Sequence, residues 1–117
     1  MRGELDWMIE TGDDVRVVKP VGRIDEGTAT AFAERLATEI AAAADAGNTR
    51  LAIDLSHIEY MSSRGLRALT LGQRKSGEAG ITIVLAGGND IMREILAISR
   101  YDKVFQVYET IEQAVSA

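Results

Sequence analysis

Cysteine is absent from this chain of 117 residues, histidine and proline occur once each, and aromatic residues make up 5% of it. Each shortage removes a class of protein. Without thiols there is no disulfide scaffold, no iron–sulfur cluster and no cysteine zinc site. His57 alone cannot form a histidine metal cluster or a proton relay. One proline, Pro20, excludes a Pro-rich disordered tail. Trp7, Phe32, Phe105 and the tyrosines are too scattered for a base-stacking platform. Lys and Arg number 13 against 18 Asp and Glu, a formal charge of -5, which argues against direct work on nucleic-acid phosphates. No apolar run approaches the roughly 18 residues of a membrane span. The opening residues Met1, Arg2, Gly3 and Glu4 lack a basic-then-apolar leader pattern. The expectation is a cytoplasmic domain with no membrane or nucleic-acid role.

What is present is the balance of an ordinary globular domain, 46% hydrophobic and 26% charged, with a length that suits one domain over residues 1–117. Residues 5–10 and 15–21 read as strands of a hairpin across the turn cluster Thr11-Gly12-Asp13-Asp14. Pro20 lacks an N–H, so the end of the second run is expected at a bulge or an unpaired stretch. Asp25 offers a capping side chain ahead of a helix whose apolar stripe is Phe32, Leu36, Ile40 and Ala43. Gly47 and Asn48 end it. Residues 51–55 read as a buried strand with Asp54 near its exit. A loop over 56–62 leads to a helix over 63–78. Residues 81–86 form another apolar strand, of the kind that runs parallel under helices. Gly87-Gly88-Asn89 turns into a third helix with Ile91, Ile95 and Ile98 on one face. Residues 101–103 are a loop, 104–108 a last strand, and Thr110 caps a final short helix. The order β-β-α-β-α-β-α-β-α predicts an α/β fold: a five-stranded mixed sheet with four helices.

The densest polar chemistry is the run from Asp54 to Leu66, where a strand ends and a helix begins; ligands in α/β sheets gather at such places. Ser63 has a structural role open to it, accepting a backbone N–H as a helix cap. The same place suits an anion, because a helix N-terminus presents unpaired N–H groups and the positive end of the dipole. A phosphate on Ser63 would be held by its own helix, with Arg64 and Arg67 able to add charge-assisted contacts. Asp54, His57 and a serine also include the residue types of a hydrolase triad, but no G-x-S-x-G elbow accompanies them. Asp54 has the ordinary alternative of bonding loop backbone. Tyr60 and Met61 beside the serines form either a contact surface or part of the core. Gly87-Gly88 lacks the spacing of a phosphate-binding loop and reads as a turn. Asp25-Glu26 and Asp13-Asp14 are acid pairs of the kind usually left in solvent. No cofactor or metal motif is present.

The run Asp54-Leu55-Ser56-His57-Ile58-Glu59-Tyr60-Met61-Ser62-Ser63-Arg64-Gly65-Leu66 resembles the signature of STAS-domain anti-sigma factor antagonists. That signature is DLS, three residues, an aromatic, Ile or Met, Asp or Ser, a phosphorylatable Ser, a small residue and Gly-Leu. Gly22-Arg23-Ile24-Asp25 is similar to the family's Gly-x-Leu-Asp before its first helix, and residues 81–87 to its strand running into Ala-Gly. The resemblance implies a STAS-like domain that works as a switch. The unphosphorylated protein would bind an anti-sigma factor that is also a serine kinase of the histidine-kinase-like ATPase fold, releasing a sigma factor. Phosphorylation would end binding and a PP2C-type phosphatase would restore it.

By position, Ser63 takes the phosphoacceptor place, with Ser62 the alternative acceptor. Asp54, Tyr60, Met61, Ser62, Arg64, Gly65 and Arg67 form the implied partner-binding set. Arg64 departs from the pattern, standing where the family usually has Ser, Thr or Ala. That departure leaves open a non-switching STAS scaffold or a transporter-associated subunit; a hydrolase using Ser63 and His57 is the reading from another class.

Overall fold

The computed structural model describes residues 5–12 and 14–117. Asp13 and the start at residues 1–4 lie outside them. The strands are β1 (Asp6–Thr11), β2 (Val15–Ile24), β3 (Arg50–Asp54), β4 (Ile58–Met61), β5 (Thr82–Ala86) and β6 (Gln106–Tyr108). The helices are α1 (Ala29–Asp45), α2 (Ser63–Glu78), α3 (Asp90–Ile98) and α4 (Ile111–Ser116), with a single 3-10 turn at Tyr101–Lys103.

The sheet runs β1-β2-β3-β5-β6, with β1 antiparallel to β2 and the remaining neighbours parallel. This path is the five-stranded mixed sheet the sequence predicts. β4 is an addition to it, lying in the stretch read as a loop and pairing in parallel with the far end of β2. β2 therefore changes partner: residues 15–18 pair with β3, and Gly22, Arg23 and Ile24 pair with β4. Pro20 sits between these segments. The carbonyls of Asp14 and Ile24 and the N–H of Gly22 all face the β3/β4 side, so strand alternation points the Pro20 nitrogen to the same side. The missing donor falls where β2 has no neighbour, which is how a proline fits inside a strand that pairs with β1 along its other edge.

One sheet face carries the main core. Phe32, Leu36, Ile40 and Ala43 of α1 are all buried against Val18, Leu51, Ile53, Ile83 and Leu85. Trp7 of β1 stacks on Phe32 with ring centroids 5.7 Å apart. Close approach of α1 and α2 depends on Gly72: a Cβ there would lie 2.6 Å from Leu36 Cδ2. The other face is thinner, with Val15, Ala52, Val84 and Ala86 covered by Ala114 of α4.

Two local expectations change. Asp25 is not the cap of α1; the N-cap is Thr28, whose hydroxyl turns back to accept from Asp25 N–H and donate to the Arg23 carbonyl. The Asp25 carboxylate instead accepts from Gly27 N–H at 3.0 Å, closing the turn before the helix. In α3 the buried residues are Met92 and Leu96, whereas Ile91 and Ile98 are exposed and Ile95 is half-buried. Asn89 fixes that rotation, accepting from Met92 N–H with its side-chain oxygen and donating from Nδ2 to the Ile58 carbonyl.

A charged cluster ties α1 to the sheet. The Glu39 side chain, 4% exposed, bonds Arg16 of β2 at 2.8 Å and Arg35 at 2.7 Å. Burial pushes its pKa up, but the hydrogen bonds from Arg35 and Arg16 and their charges outweigh burial and hold it below the ordinary value of 4.5. A depressed native pKa means the unfolded chain takes up the proton first. The stabilisation is therefore complete at neutral pH and is lost as pH falls through and below about 4.5. Urea unfolding of the parent and of Glu39→Gln across that range checks this: the parent should lose stability more steeply on acidification, and parallel curves would refute it.

Candidate functional site

The site is built where β4 hands over to α2. Ser62 N–H donates to the Ile24 carbonyl at 2.8 Å, fixing the helix start to the end of β2. Ser62 is the N-cap: its Oγ accepts from Gly65 N–H at 3.3 Å, and its carbonyl accepts from Leu66 N–H. It is 7% exposed. The capping role read for Ser63 thus belongs to its neighbour. Ser63 is the first helical residue and is exposed, and its hydroxyl has no hydrogen-bond partner among the described residues. The N–H groups of Ser63 and Arg64 have no intrahelical acceptor, as in any first turn.

Removing the cap hydroxyl by Ser62→Ala should cost about 1 kcal/mol, whereas Ser63→Ala should fall within about 0.5 kcal/mol of the parent. Paired urea titrations read the difference, and equal losses would contradict the assignment of the cap.

The other implied partner-binding residues divide by exposure. Met61 is buried among core residues, so of the pair flanking the serines it belongs to the interior. Gly65 is also buried, and a Cβ on it would lie 2.5 Å from Met61 Cγ and 2.6 Å from Ile24 Cγ2. Asp54 is 4% exposed and spends both oxygens within the protein: Oδ1 accepts from Ser56 N–H at 3.0 Å, and Oδ2 lies 3.8 Å from Lys19 Nζ. With Ser62 in its cap, these four are buried and shape the loop. Tyr60 is half-buried, its ring covered by the Arg23 guanidinium at 4.7 Å. Arg64 and Arg67 are exposed.

The two arginines point differently. Arg64 reaches Glu26, in the loop before α1, at 3.2 Å. Arg67 has no ion-pair partner among the described residues. It follows Ser63 by four residues, so its side chain leans back along the same helix face toward the serine.

The remaining constellations are settled by geometry. His57 Nδ1 lies 3.1 Å from Ser56 Oγ, and neither Asp54 nor Ser63 is its hydrogen-bond partner, so the triad weighed from the sequence is not assembled. Gly87 has a φ of +77° and sits where a Cβ would come within 3.0 Å of Asp54 Oδ1, which accounts for the glycine without any phosphate. Asp25 lies 3.8 Å from Arg23, and Glu26 is the partner of Arg64, so this acid pair faces the protein's own cations. Among the described residues, no group of three or more metal-ligating side chains occurs and no helix is long and apolar enough to cross a membrane.

Sequence reasoning missed three residues at this end: Arg23 on Tyr60, Glu26 on Arg64 and Lys19 on Asp54. Each pairs across a wide gap in sequence, where spacing carries no signal.

A mixed sheet with a strand-to-helix serine pair at the far end of β2 defines a class. Residues 6–114 match the STAS domain family model, and the chain belongs to that family. RsfB of Mycobacterium tuberculosis, an anti-sigma-F factor antagonist, is 31% identical over 102 residues, 87% of this chain and 80% of its own length. BtrV of Bordetella bronchiseptica, provisionally named an anti-sigma factor antagonist, is 34% identical over 88 residues, 75% of this chain and 76% of its own. The crystal structure of an anti-sigma factor antagonist from Mycobacterium paratuberculosis superposes with a TM-score of 0.73 at 30% identity, covering 96% of this chain and 92% of that one.

Proposed function

We propose that the protein is an anti-sigma factor antagonist controlled by phosphorylation of Ser63. The unphosphorylated form binds an anti-sigma factor that is also a serine kinase and frees its sigma factor. In the reverse step, Ser63 Oγ attacks the γ-phosphorus of ATP held by the kinase. The new O–P bond forms as the bond to the β,γ-bridging oxygen breaks, ADP leaves, and the hydroxyl proton passes to a base on the kinase. A PP2C-type phosphatase hydrolyses the phosphoserine and returns the binding form.

One observation carries the reading: of two adjacent serines at the helix start, Ser62 is buried in the cap and Ser63 is exposed with its hydroxyl unbonded. A kinase must reach the oxygen it modifies, and the helix must survive the change. Ser63 meets both conditions, because unpaired first-turn N–H groups and the dipole accommodate a phosphate without a new fold. Arg64 occupies the position after the acceptor but is drawn away to Glu26, which leaves the serine open.

The test is intact mass after incubation with ATP and a serine kinase of the histidine-kinase-like fold. One phosphate should be gained by the parent and by Ser62→Ala, and none by Ser63→Ala. Full gain by Ser63→Ala would move the site to another hydroxyl.

A further inference from the structure

The exposed face of α2 has a charge opposite to that of the chain. The protein carries a formal charge of -5. The α2 segment SRGLRALTLGQRKSGE holds Arg64, Arg67, Arg74 and Lys75 against the single carboxylate of Glu78, in its last turn. At about 100° per residue, Ser63, Arg74, Arg67, Glu78, Leu71, Arg64 and Lys75 fall within a sector of about 120°, four cations against the one carboxylate, which stands at its C-terminal end. All seven are exposed, and Leu71 is an exposed apolar residue within this predominantly cationic sector. Arg67, Arg74 and Lys75 have no ion-pair partner among the described residues. Beside them, between α1 and α2, is an open cavity of about 240 Å³ whose apolar lining is Ala29, Ala33, Ala68 and Leu71, with Arg64, Arg67 and Glu34 at its rim.

We infer that this face docks an acidic amphipathic helix of the protein partner. An apolar side chain of that helix enters the alanine-lined cavity, and carboxylates on either side of it meet Arg67 and Arg74. The charge decides the occupant. A basic or neutral segment would leave these cations unpaired, and long-range attraction toward them favours an acidic approach. The inference rests on the Ser63 reading and specifies the partner surface that reading requires. A phosphate on Ser63 would stand one turn ahead of Arg67, drawing that cation back within its own helix and placing negative charge where the partner's carboxylates must come. The cationic sector thereby becomes partly anionic, and the partner is repelled.

The experiment follows amide signals of the ¹⁵N-labelled full chain during titration with a synthetic helical peptide bearing glutamates on both sides of a leucine. A scrambled peptide of the same composition and a lysine-for-glutamate version serve as controls. The acidic peptide should shift signals over residues 64–75 and at Ala29 and Ala33, and Arg67→Glu/Arg74→Glu should weaken its binding at least about tenfold while admitting the lysine peptide. Equal binding of the scrambled peptide, absence of any shift on α2, or unchanged affinity in the double variant would overturn the surface. Circular dichroism of the double variant guards against a folding artefact, and both replaced residues are exposed. The Ser63 reading is judged separately by its phosphate gain, so a peptide footprint on α2 without phosphorylation upholds the surface and removes only the switch.

Discussion

Gly65→Ala should unfold at a temperature about 5–15 °C below the parent, the effect of about 1–3 kcal/mol of overpacking in a domain of this size. Alanine favours a helix by about 1 kcal/mol over glycine, so the steric term must overcome a gain. It does so because the added carbon has nowhere to go. Its ideal position lies 2.5 Å from Met61 Cγ and 2.6 Å from Ile24 Cγ2. Both neighbours are at most 2% exposed, and Ile24 also holds the helix start through its carbonyl. Relief therefore requires α2 to move away from β2 and β4, disturbing the loop that presents Ser63. Gly77→Ala is the matched control: a Cβ there meets nothing within 4 Å, so the same change late in the same helix should raise the midpoint. Thermal scans of the two variants should bracket the parent, and a midpoint for Gly65→Ala at or above the parent's would refute the packing argument.

Phosphorylation of Ser63 should weaken binding of the anti-sigma factor on the order of a thousandfold while leaving the antagonist's own fold in place. Burying a dianion against a protein surface without a partner for it costs several kcal/mol, and about 1.4 kcal/mol corresponds to each factor of ten. A first-turn phosphate lies outside the core, so amide shifts should be confined to the start of α2 and its contacts with Glu26 and Ile24. Calorimetry with both forms, and an amide spectrum of the phosphoprotein, read the two halves. Shifts spread across β1, β3 and β5 would point to refolding instead of a surface effect. Ser63→Ala should bind as tightly as the unmodified parent, and Ser63→Asp should fall between, since a carboxylate carries less charge and fewer acceptors than phosphate.

Elements with a complete buried stripe were legible from the sequence, because periodicity reports burial directly. α1 shows this in Phe32, Leu36, Ile40 and Ala43, and β3 and β5 in their unbroken apolar runs. β4 was not legible. Ile58 and Met61 both point inward, three residues apart, which a two-residue alternation cannot give; Glu59 has no opposite number on β2, where the register slips between Gly22 and Arg23. α3 misled for the opposite reason. It carries two apolar spacings, Ile91-Ile95-Ile98 and Met92-Leu96, and the choice between them is made by Asn89 reaching the Ile58 carbonyl, a contact no local pattern contains. At the site, the sequence located the helix start, but two neighbouring serines offer the same hydroxyl. Only the path of the chain, with Ser62 tied to Ile24, tells the internal one from the external one.

That division has a consequence for how such a protein can change over generations. Because Ser62 serves architecture and Ser63 does not, a mutation at Ser63 would alter or silence the proposed signal without imperilling the molecule that carries it. Regulation placed at Ser63 would thereby be free to drift, be lost or be reinvented at one codon, while the codon before it stays under selection for stability.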